Sequence, residues 1–295
     1  MPSTRDPDAL KDLIDEIDDP DIGARKVERW RQHGWMPDPI EQQRLGRRGT
    51  RSIYPPWAAD QARALGRLVK RGQAVDAVTL PLYGSGRWVS DRALLDAYRA
   101  RLGRDAERRE QALAAADGDP LQAAEGLAHS ARIPGTVRTR CASLGGAYEE
   151  AKVTTSDRLH SIVTCAIHAQ MTGRPTYEQA LQESIDFGGV TAFSEHLPGP
   201  VAQEDVVDAT GQNLNALATA TLTEVVEEVT RDELDRARGQ ARFFAQVFAG
   251  ILQITDQQIA QLALIGAALN RKLAADRDTG RDSWPSLEAW LSISR

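Results

Sequence analysis

Residues 25–37 read RKVERWRQHGWMP. Val27 and Trp30 stand three apart and so share one face of a helix. Arg25, Lys26, Arg29 and Arg31 fall on or near the opposite face. Gly34 supplies a helix C-cap and Pro37 follows just beyond it. The split leaves an apolar side to dock on a scaffold and long cationic donors on the outside, as a helix entering a nucleic-acid groove requires.

Upstream, residues 6–17 (DPDALKDLIDEI) place Leu10, Leu13, Ile14 and Ile17 at i, i+3, i+4 and i+7, an amphipathic helix. Asp18 to Asp21 (DDPD) is a turn signal. Downstream, residues 35–54 are rich in arginine and broken by prolines and glycines. They predict a hairpin-like loop with short extended pieces near Trp35–Met36 and Ser52–Tyr54 pairing across it. Arg44, Arg47, Arg48 and Arg51 sit there on a frame of Gly46 and Gly49, and a basic loop of this kind suits phosphate or minor-groove contact. Pro55-Pro56 opens a helix that runs to Arg71 and stops at Gly72. A short helix over 74–82 follows, then Tyr83 to Gly86 (YGSG) as a loop and linker.

Charge is distributed unevenly. Between Pro20 and Gly72 there are 12 Lys and Arg against 5 Asp and Glu, a net of +7. The whole chain carries −6, so the remainder holds −13. A basic module joined to an acidic body fits a DNA binder, although a solvated arginine-rich face gives the same count.

The order helix, turn, helix, basic loop, helix, glycine, short helix resembles the MerR family of winged helix-turn-helix proteins. The family's second helix has the form R-x-x-x-x-W/Y-x-x-x-G-L-x-P, matched here by Arg25 through Trp30 and Gly34-Trp35-Met36-Pro37. Its wing, roughly G-Y-R-x-Y, is similar to Gly49-Thr50-Arg51-Ser52-Ile53-Tyr54. Its helix end, L-x-x-x-G, is matched by Leu68 to Gly72. The loop from Asp38 to Arg48 is longer than the family's, and Pro-Pro stands where a Ser or Thr cap is usual. The resemblance implies DNA contacts from Arg25 and Arg29 on the recognition helix, backbone contacts from Arg51 and Tyr54, and a homodimer. Lys26, Arg31, Arg47 and Arg48 join the candidate DNA-binding set from their positions. Trp30, Trp35 and Trp57 read as core.

Beyond Ser90 the pattern is helical throughout, with an N-cap at Ser90 and a helix to about Leu102, then segments over 105–116, 120–131, 135–152, 156–172, 176–187, 204–229, 231–254 and 256–275. Ala and Leu dominate and aromatic residues are only 5%, which favours helix over sheet. The expected fold is therefore mainly α: a winged helix-turn-helix domain over 1–86 and an all-helical domain over 87–295. Residues 214–229 and 243–269 are unusually apolar and read as core, as a subunit interface, or as a pocket for a small apolar effector.

No run of about 18 apolar residues exists, which argues against a membrane span. MPSTRDPDALKDL lacks the apolar core of a secretory signal. Two unclustered cysteines, Cys141 and Cys165, argue against a disulfide framework, so the chain reads as cytoplasmic. His160, Cys165 and His168 share a helical segment without convergent spacing for a metal. Adjacent glutamates (149–150, 227–228) point about 100° apart on a helix and form no acid/base pair. No phosphate-cradling or nucleophile motif occurs. The expectation is a transcriptional regulator binding double-stranded DNA, with no cofactor, no metal and no catalysis. The alternatives are a protein-interaction scaffold or an architectural DNA-binding protein.

Overall fold

Leu10, Leu13 and Ile17 bury the apolar edge of the first helix, α1 (Lys11–Ile17). The computed structural model describes residues 10–44, 50–70, 72–130, 168, 171, 222–247 and 254–278. Among these the chain is mainly helical, with nine helices and one two-stranded sheet, and no helix is long and apolar enough to cross a membrane. They fall into two compact units. One comprises the chain to Arg101 together with Thr255–Gln261; the other comprises Leu102–Ile254 and the chain from Leu262 onward.

In the first unit, Asp18 ends α1 with a left-handed backbone, φ 49°, a conformation aspartate tolerates better than most residues. Asp19 Oδ1 accepts the Asp21 N–H at 2.9 Å and shapes the turn. α2 (Ala24–Gln32) follows and buries Val27 and Trp30, the pair expected from their spacing. The Trp35 N–H donates to the Trp30 carbonyl and the Gly34 N–H to that of Arg31, both at 2.9 Å. This double closure requires the positive φ of Gly34, 70°.

Strands β1 (Glu41–Arg44) and β2 (Thr50–Ile53) pair antiparallel, Glu41 opposite Ile53 and Arg44 opposite Thr50. The hairpin is present, but its first strand is not at Trp35–Met36. Those two residues are buried, and the Trp35 indole N–H donates to Thr79 Oγ1 at 2.8 Å. Two bulky apolar side chains stabilise more as core than as an edge strand. Pairing therefore begins after Pro37 and Pro39, with the Ile40 N–H donating to the Ile53 carbonyl at 2.8 Å.

α3 (Ala58–Leu68) packs on α1, and Arg63 reaches back to the end of that helix. Its Nε donates to the Ile17 carbonyl at 3.1 Å and its Nη2 to that of Glu16 at 2.6 Å. The cation thus satisfies carbonyls that a helix end leaves open. Buried Gln61 donates both amide hydrogens, to the carbonyls of Trp35 at 2.8 Å and Trp88 at 2.7 Å. Trp57, expected in the core, is 41% exposed: it stands just before α3, on the solvent side of that helix's start.

α4 (Asp76–Gly84) carries the expected linker's first two residues, because Tyr83 and Gly84 form its last turn and are buried. α5 (Asp91–Ala115) is one helix of 25 residues rather than two. Gly103 lies within it without breaking it, a cost of about 1 kcal/mol that a long helix absorbs. Ser90 caps it, accepting the Ala93 N–H at 3.2 Å.

The same unit takes in a segment from far along the chain. Thr255 and Gln258 exchange hydrogen bonds, N–H to Oε1 at 2.8 Å and N–H to Oγ1 at 3.3 Å. This reciprocal capping box starts α9 (Asp256–Asp278). The Tyr98 hydroxyl donates to the Ala260 carbonyl at 2.6 Å. Gly84 lies so close to the Asp256 backbone that a methyl group there would overlap its carbonyl.

The second unit contains the rest of α5, α6 (Pro120–Ser130), α7 (Leu222–Glu228), α8 (Arg231–Val247) and the rest of α9. Val226, Val229, Leu234, Ala237, Leu264 and Ala267 are buried. Thr230 and Glu233 form a second capping box, at 2.7 and 3.3 Å. Arg271 ties α9 to both neighbouring helices: to Glu233 at 2.9 Å, and to the Glu228 carboxylate at 3.0 Å and its carbonyl at 2.6 Å. Of the apolar stretches singled out in the sequence, Val226, Val229, Ile259 and Leu264 are core and Phe243 is 45% exposed. Residues 214–221 and 248–253 lie outside the described residues, as do the helical segments expected over 135–152 and 176–187.

Candidate nucleic-acid interface

Three of the candidate cations share one surface. Arg25, Lys26 and Arg29 are exposed along α2, Arg25 and Arg29 opposite buried Val27 and Trp30 and Lys26 on the flank between them. At 3.6 residues per turn, positions 25 and 29 lie one above the other, with 26 about 100° round. Among the described residues nothing forms a salt bridge with any of the three. α2 carries no acid in its first turn, and both cations of its last turn, Arg29 and Arg31, oppose the negative end of the helix dipole.

Arg31 is placed differently. Its Nε and Nη2 donate to the two carboxylate oxygens of Glu28 at 3.0 and 2.8 Å, and its Nη1 donates to Asp38 at 2.6 Å. The Glu28 hydrogen bond, with the help of Asp38 and against partial burial, raises the guanidinium's affinity for its proton. The Arg31 bond likewise holds the Glu28 carboxyl below its usual range, outweighing burial. Arg31 therefore braces the exit of α2 against the segment leading to the hairpin, with its charge matched by two carboxylates.

Tyr54 is half-buried close to this cluster. Burial pushes its phenol above the ordinary value; Arg31 pulls it down, and Glu28 and Asp38 push it up. Arg51 lies in β2 opposite Gln43, and Arg44 in β1 opposite Thr50. Arg47 and Arg48 lie outside the described residues. The six described candidates thus divide: Arg25, Lys26 and Arg29 are the open cations of α2, Arg51 lies on the adjoining hairpin, and Arg31 forms the brace between them with Tyr54 close by.

Sequence reasoning grouped Arg31 with the open cations because spacing alone reports the face and not the partner. The signal was available in Glu28, three residues earlier, since acid and base at i, i+3 meet on a helix. Gln61 was not singled out, although it anchors Trp35 directly behind α2. A lone glutamine in an alanine-rich helix gives no sign that it faces inward.

His160 and Cys165 lie outside the described residues. Among the described residues no group of three His, Cys, Asp or Glu side chains is placed to hold a metal. Neither a known protein family, nor a curated protein, nor a solved structure matches this chain.

Proposed function

We propose that this chain is a DNA-binding transcriptional regulator whose N-terminal part works as a winged helix-turn-helix of the MerR kind. The observation that carries the reading is the exposed cationic face of α2, Arg25, Lys26 and Arg29, without a salt bridge among the described residues and backed by buried Val27 and Trp30. In this reading α2 enters the major groove. The hairpin, with Arg51 and the arginines of its loop, lies along the phosphates. The element order α1, turn, α2, hairpin, α3, α4 supports it, as does the resemblance of residues 25–37 and 49–54 to the family pattern. One helix of nine residues reads only a few base pairs, so a homodimer on two half-sites is part of the proposal.

The test is fluorescence anisotropy of the full chain with duplexes from upstream of its own gene and with a random duplex. It is run at about 50 and about 200 mM salt, a range over which several phosphate contacts cost orders of magnitude in affinity. Preference for one upstream duplex that survives the higher salt, and is lost in Arg25→Ala/Arg29→Ala, is the expected result. Equal weak binding to every duplex, unchanged in that double variant, overturns the proposal in favour of a protein-interaction scaffold.

A further inference from the structure

A second basic site lies in the first unit, on residues that the DNA reading does not use. Trp57, Asp60, Arg63, Arg67, Gly86 and Arg87 line a cleft of about 450 Å³, floored by buried Gln61. That volume lies within the range of small-molecule sites, about 300–1,000 Å³.

The chain builds it in two strokes. Asp60, Arg63 and Arg67 recur at i, i+3 and i+7 and so share one face of α3. Arg87 arrives from the end of α4. There the Gly86 N–H donates to the Tyr83 carbonyl at 2.9 Å and the Arg87 N–H to that of Leu82 at 3.0 Å. Gly86 adopts φ 79° to permit this. Arg87 Nη1 then donates to the Asp60 carbonyl at 3.3 Å.

Charge decides what fits. Arg63 Nη1 pairs with the Asp60 carboxylate at 2.6 Å, and its other donors go to the end of α1. That pair cancels. Arg67 and Arg87 remain, and among the described residues no carboxylate forms a salt bridge with either. Beside them Trp57 presents an exposed ring, tilted against Trp88 with centroids 6.2 Å apart. Two guanidinium groups match a dianion, and a phosphate monoester carries about −1.5 to −2 at neutral pH. A carboxylate leaves one of the two cations unmatched. An exposed indole at the rim offers a surface on which an unpaired base stacks.

We propose that this cleft binds a phosphate ester carrying an aromatic base, with Arg67 and Arg87 on the phosphate and Trp57 against the base. The phosphate has two conceivable sources, a free nucleotide and a nucleic-acid strand. Bases in a duplex are already stacked, so the indole favours the free nucleotide.

The experiment titrates the full chain with adenosine monophosphate, adenosine and inorganic phosphate, followed by calorimetry and by tryptophan fluorescence. The expected result is saturable binding of the monophosphate with a Kd at or below about 1 mM. Adenosine and phosphate each bind at least about tenfold more weakly, Arg67→Ala weakens the monophosphate about tenfold or more, and Trp57→Phe removes most of the fluorescence change. Circular dichroism of both variants checks the fold. Duplex binding by Arg67→Ala separates the sources: unchanged affinity beside monophosphate binding assigns the site to a free nucleotide. A loss of about one unit from the salt slope without monophosphate binding assigns the phosphate to a strand, an outcome that rests on the DNA reading. If the chain binds no duplex at all, the nucleotide titration still decides. No monophosphate binding up to about 5 mM with duplex binding unchanged in Arg67→Ala, or monophosphate binding indifferent to Arg67→Ala, overturns the site.

Discussion

Tyr98 donates its hydroxyl to the backbone carbonyl of Ala260 at 2.6 Å, a hydrogen bond spanning 162 residues of chain. Both groups are buried, and together with the Gly84 contact to Asp256 they seat Thr255–Gln261 within the first unit. Residues 1–101 are then an incomplete module. Expressed alone, they are expected to unfold at lower urea concentration than the same residues in the full chain. Tyr98→Phe in the full chain should cost about 1 kcal/mol. Gly84→Ala should cost more, because the methyl meets backbone rather than a side chain able to swing aside. Urea midpoints followed by circular dichroism check all three; an isolated fragment as stable as the full chain rules this account out.

Arg31 and Arg25 are expected to behave oppositely, although both stand on α2. Arg31→Ala breaks a two-pronged bond to Glu28 and the bridge to Asp38, and should lower stability by about 1 kcal/mol. Arg25→Ala removes an exposed side chain that forms no salt bridge among the described residues, and should shift the thermal midpoint hardly at all. Paired melting curves and anisotropy titrations separate the two, with DNA affinity falling in Arg25→Ala at unchanged stability.

Gln61→Leu keeps the volume of the side chain but leaves the carbonyls of Trp35 and Trp88 without their donor. A loss of about 1–3 kcal/mol is expected, since buried acceptors are being stranded. The change should show as a lower urea midpoint and as a shift in tryptophan emission, because both carbonyls belong to tryptophans. A midpoint equal to that of the unsubstituted chain contradicts the geometry around Gln61.

Glu233 gives the second unit a pH dependence of definite sign. Burial pushes its carboxyl upward, but hydrogen bonds from Arg271 and from the N–H and hydroxyl of Thr230 outweigh it and bring the value from 4.5 down to about 2. A carboxylate held low in the folded state contributes stability that is complete above about 4.5. That contribution is lost as pH falls toward about 2. Glu233→Gln should flatten the fall in stability across that window, leaving less to lose in acid. Urea midpoints measured at steps from neutral pH into acid check the slope, and equal slopes in the two proteins count against the pairing.

Local pattern carried much of the first unit. The buried pair Val27 and Trp30, the stop at Gly34 and the cap at Ser90 all follow from spacing and from single residues with strong backbone preferences. The limits had physical causes. Trp35 was legible as core, but it and Met36 were also read as an extended piece of the hairpin, and their size placed them in the core instead. Tyr83 and Gly84 read as linker because glycine usually ends helices, whereas here Gly84 makes room for a neighbouring backbone. The length of α5 was hidden by Gly103, whose cost is small within so long a helix. Nothing near Tyr98 announces a partner 162 residues away, and the cleft beside Trp57 arises only when the end of α4 meets α3. The open arginine face of α2 was legible as chemistry; of the two carboxylates that match Arg31, Glu28 was legible from its i, i+3 spacing, while Asp38 depended on where the chain beyond α2 came to rest.

Ser90 has two duties that bear on each other. Its side chain starts α5, while its N–H donates to the Gly34 carbonyl at 2.8 Å at the close of α2. Any side chain at Gly34 would strike the Ser90 hydroxyl and the Ala93 methyl, so the two helix ends meet with no slack between them. They share one fulcrum. A pull that swings the first turns of α5 swings α2 with it, and the direction in which Arg25, Lys26 and Arg29 point becomes a readout of strain along a helix that carries none of them.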